Sequence, residues 1–452
     1  MKTWEENVRK VVPYVPGEQP KVQNLIKLNT NENPYPPSPK VAEALKAIDV
    51  DCMRLYPDPA ASVLVKGIAD FYQLQEDQVF VGVGSDDVLA MIFMTFFNSQ
   101  KPILFPDITY SFYDVWADML RIPYETVPLT DDFTIRKEDY FRENGGIIFP
   151  NPNAPTGVEL GMQDVEAIIK ANPDVIVVVD EAYVDFGAAS ALPLIEKYDN
   201  LLVVQTFSKS RGMAGMRIGY AMGNPVLIKY LNDVKYSFNS YTMDQTTLAL
   251  GAAAIADRAY FEETVHKVVE TREWTKKELE KLGFVFGDSK ANFIFASHPE
   301  IPAAELFAAL REANIIVRYF KKPRIDNYLR ITIGTQEDME KLIKFLKEYK
   351  KIGEIYGITC YMVCHNFRTL YIGESSRFSD FDDAASGTSR GTACQFASES
   401  IRCAGNPDLY YRKYFTHSVY PAVYQEDLPV DEKSKMLPGT DRKTGKPGDG
   451  KK

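Results

Sequence analysis

The sequence predicts an α/β protein: an open, mainly parallel seven-stranded sheet in a large domain, followed by a smaller α+β domain. Two observations carry this. Between Val79 and Gly223 short apolar runs alternate with helical stretches, and after Asn224 the pattern turns helical before short strands return. The 452 residues, 45% hydrophobic and 25% charged, suffice for two or three domains with a large core.

The seven strands are VFVGVG, PILFP, IPYETVPL, GIIFPN, VIVVVDEAY, LLVVQTFS and RIGYAMG. Most are nearly continuous in Val, Ile, Leu and Phe, as in strands buried on both faces. SDDVLAMIFMTFF and DVEAIIKAN have the length and spacing of intervening helices. A long amphipathic segment, AYFEETVHKVVETREWTKKELEKLG, then stops at Gly283. FVFGDS, ANFIFAS, NIIVRYF and YLRITIG follow as strands, interleaved with IPAAELFAALREA and closed by QEDMEKLIKFLKEYKKI.

A net charge of -10 without basic clusters argues against nucleic acid as the main partner. The N-terminus lacks an apolar core of signal-peptide type, and no later run reaches membrane length. A cytoplasmic protein is expected, and only Cys52 in the first 350 residues suits a reducing compartment.

Five stretches could carry chemistry. Lys209 follows a buried strand, where the default reading of a lysine is a solvated surface residue. Thr206, Ser208 and Arg217 surround it in sequence, however, and an amine beside hydroxyls and a fixed cation suits an aldehyde cofactor with a phosphate handle, pyridoxal phosphate. Asp180, Glu181 and Tyr183 follow the most apolar strand. A carboxylate there would hold a pyridine nitrogen protonated and a tyrosine would meet the phenolic oxygen, whereas a lone Asp would more simply cap a strand end. In VGVGSDD, Gly82 and Gly84 follow a strand and Ser85, Asp86 and Asp87 open a helix, so backbone N–H groups are offered to a phosphate. FPNPNAPTGVEL is a turn-rich loop, and Arg330 sits inside an apolar strand, where it needs a substrate carboxylate or a structural acid.

Together these stretches resemble the fold-type I pyridoxal-phosphate-dependent aminotransferases, and within them the histidinol-phosphate aminotransferases. LNTNENPYPPSP, RLYPDP, GVGSDD, NPNAPTG, VVVDEAYVDF, TFSKSRGMAGMRIGY and YLRITIGT occur in family order, covering roughly Met1 to Ile352. The resemblance implies residues 1–30 as an arm contributing to the small domain, 31–258 as the large cofactor-binding domain and 259–352 as the small domain. It implies Lys209 as the Schiff-base lysine and proton carrier of a ping-pong reaction. Asp180 would hold the pyridine nitrogen, Tyr183 the phenolic oxygen, and Tyr110 would stack on the ring. Ser85, Asp86, Thr206, Ser208 and Arg217 would form the phosphate cup, and Tyr56 would reach the cofactor phosphate of a partner subunit in a homodimer. Arg330 would bind carboxylate, Arg318 and Tyr14 the substrate phosphate, and Asn31 is a further substrate-binding position. Histidinol phosphate and imidazole acetol phosphate, with glutamate and 2-oxoglutarate, are the implied substrates. An aromatic amino acid aminotransferase and an amino-acid-phosphate decarboxylase of the same fold are the alternatives.

One departure stands out. Many relatives carry asparagine before the PTG, its amide on the phenolic oxygen, but here that position is Ala154. Either Asn153 takes over or Tyr183 serves alone. Residues 353–452 read as an appended, poorly ordered tail outside the family fold. Cys360, Cys364, His365, Cys394, Cys403 and His417 match no recognised ligand spacing, and no metal is expected.

Overall fold

The computed structural model describes residues 3–20 and 24–356, so the readings made for residues 357–452 lie outside the described residues. Twelve strands are described: β1 Ile26–Leu28, β2 Val79–Val83, β3 Ile103–Pro106, β4 Tyr124–Val127, β5 Ile147–Pro150, β6 Val177–Asp180, β7 Leu201–Thr206, β8 Ile218–Gly223, β9 Val285–Phe286, β10 Phe293–Ser297, β11 Ile315–Tyr319 and β12 Leu329–Thr332. They form two sheets.

The larger sheet has the order β2-β8-β7-β6-β5-β3-β4. Its pairings from β7 through β6, β5 and β3 to β4 are parallel, and β8 runs antiparallel between β2 and β7. The predicted mainly parallel seven-stranded sheet is therefore observed. Every residue of β5, β6, β7 and β8 is buried. Helices explain this, since one apolar cluster built on Leu64, Ile68, Val165, Ile168 and Leu248 packs on one face. A second, with Val88, Ile92, Phe93, Tyr113 and Trp116, packs on the other. A sheet covered twice keeps only its strand ends in reach of ligands, and in such folds ligands sit outside the carboxyl ends. Asp180, Thr206 and Val83 are the carboxyl-terminal residues of β6, β7 and β2.

The smaller sheet has the order β1-β11-β12-β10-β9. Its edge strand β1 comes from the N-terminal segment and lies parallel to β11, with Ile26 opposite Ile315. Leu329 and Ile331 of β12 belong to a core with Leu306, Leu310, Leu342 and Leu346 from the helices Ala303–Glu312 and Gln336–Tyr356. Strand alternation therefore turns Arg330 and Thr332 to the opposite face. Arg318 of β11 is directly paired with Arg330, and paired residues of an antiparallel ladder share a face.

The glycines of VGVG differ from the sequence reading. Gly82 lies within β2, paired with Gly219 of β8, and only Gly84 stands beyond the strand, opening the helix Gly84–Phe96 at φ +83°. A side chain at Gly219 would meet the Gly84 carbonyl carbon and the Ser85 nitrogen, each at 2.2 Å. The bare backbone of β8 lets the start of that helix settle against it. Gly219→Ala should therefore destabilise the fold by about 1–3 kcal/mol, the usual cost of overpacking a tight site. Gly161→Ala, which meets nothing within 4 Å, should stay near wild type. Denaturant unfolding of the two variants measures the contrast.

Candidate active site

The carboxyl ends of β2, β6 and β7 and the polar face of the smaller sheet bring most of the predicted residues together. Asp180 ends β6 and is only 4% exposed. Its Oδ2 accepts from the Tyr113 hydroxyl at 2.8 Å and its Oδ1 from the Ala182 N–H at 3.2 Å. Burial pushes its carboxyl up to about 6, aided by the nearby Asp86 charge and opposed by those two donors and Lys209. Glu181 looks elsewhere. Its carboxylate accepts from the Ser190 hydroxyl, the Ala191 N–H and the Gln205 amide, bracing the loop after β6.

Lys209 lies in the turn after β7. Its Nζ donates to the Thr30 carbonyl at 3.2 Å and stands 5.7 Å from the centre of the Tyr183 ring. The carbonyls of Lys209 and Ser210 accept from the Asn33 side chain at 2.9 and 3.0 Å, which fixes the turn. Tyr183 lies beyond the strand end, three residues past Asp180. Its ring sits edge-on to Phe293 of β10, and its hydroxyl oxygen accepts from the Asn31 amide at 2.9 Å.

At the start of the helix Gly84–Phe96, Asp87 turns back to accept from the Val83 N–H at 2.9 Å. Asp86 instead faces the cleft, pairing with Arg217 Nη2 at 2.8 Å and accepting from the Tyr110 hydroxyl at 2.7 Å. Burial and then the Asp86 charge hold the Tyr110 phenol above its ordinary range. Arg217 occupies the left-handed region at φ +53°, immediately before β8, and its Nη2 lies against Gly84. Thr206 and Ser208 are buried, with the Thr206 hydroxyl 3.0 Å from that of Ser208. Ser85, Asp86, Thr206, Ser208 and Arg217 thus converge through the β2–β8–β7 strand ends.

On the smaller sheet, Arg330 donates through Nη2 to the Asn29 carbonyl at 2.9 Å, while its buried Nε has no partner. Burial, with Arg318 beside it, lowers its proton affinity. Tyr14 stacks on Phe112 with ring centres 4.0 Å apart. Burial pushes the Tyr14 phenol up against the opposing charges of Arg318 and Arg330, placing Tyr14 in their field.

Two predicted residues, Asn153 and Asn31, are placed differently. Both amide hydrogens of Asn153 are committed, to the Ile108 carbonyl and the Thr156 hydroxyl at 3.0 Å each, so it offers the cleft no donor. The Asn31 amide is held by Tyr183 and Thr332, inside protein that leaves it 1% exposed. Tyr56, expected to act on a partner subunit, is 81% exposed and stacked on Tyr241. Sequence reasoning missed Tyr113, Phe112, Asn33 and Thr332. The first two lie in the stretch ITYSFY that supplied Tyr110, and the others lie in LNTNENPY and YLRITIG, so the motifs were right but their other members went unread.

A buried carboxylate lacking a cation partner among the described residues, a glycine-lined anion seat beside Arg217, and a lysine amine in the turn after β7 fit a phosphorylated pyridine aldehyde. The chain belongs to the aminotransferase class I and II family, whose model matches residues 23–346. Pyridoxal 5′-phosphate is its cofactor. The histidinol-phosphate aminotransferase of Lactococcus lactis subsp. cremoris strain MG1363 is 52% identical over 352 residues, covering 78% of this chain and 99% of that protein. That of Acinetobacter baylyi is 55% identical over 350 residues, covering 77% and 97%. Two solved histidinol-phosphate aminotransferases share the fold. That of Sinorhizobium meliloti, in complex with pyridoxal-5′-phosphate, has a TM-score of 0.65 at 23% identity, covering 72% of this chain and 91% of that one. That of Clostridium acetobutylicum has a TM-score of 0.67 at 21%, covering 72% and 99%.

The raised Asp180 carboxyl has a consequence for the cofactor-free protein. Its ordinary value is 3.8 and its folded value about 6, so between those pH values the folded state binds more protons than the unfolded one. Stability is therefore lost as pH rises through that window, and the deficit persists above it. Asp180→Asn should melt a few degrees above wild type in cofactor-free protein at pH 8, the gap closing towards pH 4. Equal melting at both pH values would mean that the buried charge costs nothing.

Proposed function

We propose that this protein transfers an amino group between histidinol phosphate and 2-oxoglutarate, with imidazole acetol phosphate and glutamate as products. The observation that carries it is the direct pairing of Arg318 with Arg330 on one face of β11 and β12. Two adjacent guanidiniums without carboxylate partners among the described residues repel each other and favour anions. A substrate phosphate at Arg318 and a carboxylate at Arg330 meet that demand. The 51–55% identical relatives bearing the histidinol-phosphate aminotransferase name support the same reading.

When bound, pyridoxal phosphate supplies the carbonyl that takes up the amino group and the electron sink that stabilises charge at the substrate Cα. The chain's own residues do the rest. Lys209 provides the amine that anchors the cofactor and carries the proton to and from the substrate Cα. Asp180 holds the pyridine nitrogen, and its raised carboxyl becomes a stable anion once a cation lies against it. Tyr183 donates to the phenolic oxygen and Tyr110 covers the ring. Arg217, the hydroxyls of Thr206 and Ser208, and the Ser85 and Asp86 backbone would seat the phosphate, for which Asp86 would have to release Arg217. Asn153, with both amide hydrogens committed, donates nothing to the cofactor.

Tyr14 and Phe112 form an aromatic wall beside Arg318, suited to a flat imidazole. The same wall favours a second reading, an aromatic amino acid as substrate. Homodimerisation is proposed from Tyr56, which with Met53, Leu55 and Tyr241 forms an exposed apolar surface remote from its own cleft. The two sheets are proposed as large and small domains meeting at the cleft, with the N-terminal arm joining the small one. Among the described residues no helix is long and apolar enough to cross a membrane, and a cytoplasmic location is proposed.

Three measurements test the reading. Purified protein loaded with cofactor should absorb in the visible range, and Lys209→Ala should not. Turnover of histidinol phosphate should exceed that of phenylalanine with 2-oxoglutarate. Arg318→Ala should raise KM for histidinol phosphate roughly 10–150-fold, the loss of a charged hydrogen bond, while sparing the glutamate half-reaction. Equal damage to both half-reactions would remove Arg318 from the phosphate site.

A further inference from the structure

Asn31 adopts φ +56°, a left-handed conformation that asparagine tolerates better than most residues. Its backbone N–H donates to Thr332 Oγ1 at 3.0 Å, and its carbonyl accepts from the Asn292 amide at 3.0 Å. Because Thr332 Oγ1 already accepts that N–H, the threonine's own proton is free to reach Asn31 Oδ1, 3.0 Å away. With that proton on Asn31 Oδ1, the amide presents its oxygen to Thr332. The NH2 end is therefore the one that meets the Tyr183 hydroxyl oxygen at 2.9 Å. As an acceptor from Asn31, Tyr183 keeps its single proton for a group in the cleft, and a hydroxyl that accepts a bond becomes a stronger donor. Asn153 offers no donor to replace this, and Ala154 has none.

We infer that Asn31 is a positioning residue: oriented by Thr332, it aims and strengthens the Tyr183 hydroxyl as donor to the cofactor's phenolic oxygen. The inference rests on the assignment of Tyr183 to that oxygen. It moves Asn31 from the substrate, where the sequence placed it, to the cofactor's tyrosine. Asn31 and Thr332 flank the contacts that the same chain segment makes with Lys209 and Arg330, so the segment Asn29–Asn31 touches three of the proposed working residues.

The test is a pH titration of the visible absorbance of cofactor-loaded protein. A donor on the phenolic oxygen spreads its negative charge and loosens its hold on the proton of the neighbouring lysine–cofactor nitrogen. Losing the donor should raise the midpoint. Tyr183→Phe sets the full effect. Asn31→Gly keeps the left-handed backbone and removes the amide, and should raise the midpoint by about 0.5–1 pH unit, one hydrogen bond's worth. Thr332→Val, which frees the amide to turn and also removes the acceptor of the Asn31 backbone N–H, should give a smaller rise. Asn31→Gly added to Tyr183→Phe should shift nothing further, since the amide acts through that hydroxyl. If Tyr183→Phe shifts the midpoint but neither Asn31→Gly nor Thr332→Val does, Asn31 is only structural and the proposal fails, whatever happens to melting temperature. Should Tyr183→Phe itself leave the midpoint unmoved, the reading of Tyr183 falls and the proposal with it.

Discussion

A carboxylate buried at the end of an apolar strand sets the terms for everything around it. Asp180 follows three valines in β6, and the helices on both faces of the sheet exclude water from that strand. Two donors, Tyr113 and Ala182, offset part of the cost of burial but do not cancel it, so the carboxyl stays raised. The residual cost is a standing preference for a cation at that point. Tyr113 shows how the fold limits that cost without removing it. It reaches Asp180 from the helix Tyr113–Leu120 while its ring packs among Phe93, Phe105 and Trp116, so the donor is held by the core itself.

The second constraint is mechanical. The cleft draws on two sheets, and residues 29–33 join them. Asn29 accepts from Arg330, Thr30 from Lys209, and Asn33 holds the Lys209 turn. Each of these bonds is modest alone, at about 1 kcal/mol, or about 1.5–3 where a charged group takes part. Their collective effect is to make the relative placement of Lys209, Tyr183 and Arg330 depend on one short segment. The segment also begins at β1, whose pairing with β11 sets the register beside Arg318.

Much of this was legible in the sequence for physical reasons. Short continuous runs rich in β-branched Val and Ile and bounded by turn residues favour strands covered on both faces, and Asp180, Thr206 and Gly84 mark where those runs end. Arg330 stood out because it interrupts an apolar strand. What escaped was long-range pairing. Nothing in LNTNEN announces that Asn31 will meet Thr332 and Tyr183, because those bonds join residues 301 and 152 positions apart. The sequence does not show where the strand stops within VFVGVG, whereas pairing does: Gly82 continues β2 opposite Gly219 and only Gly84 stands beyond it. Asn153 was judged by its place beside Ala154, and only its partners reveal that its donors are spent.

The charge pattern of the cleft ties these parts together. Asp86 and Asp180 stand against Lys209, Arg217, Arg318 and Arg330, so the described cleft carries more cationic than anionic side chains. The excess is not evenly spread. Asp86 already neutralises Arg217 at 2.8 Å, whereas Arg318 and Arg330, paired on β11 and β12, carry no ion pair among the described residues. A phosphate entering at Arg217 must displace Asp86, exchanging one anion for another, and the freed Asp86 still has the Tyr110 hydroxyl as a donor. A substrate anion entering at Arg318 or Arg330 displaces no side-chain carboxylate at all. The two anion sites thus differ in kind: the first suits a resident group that binds once, the second a substrate that must come and go.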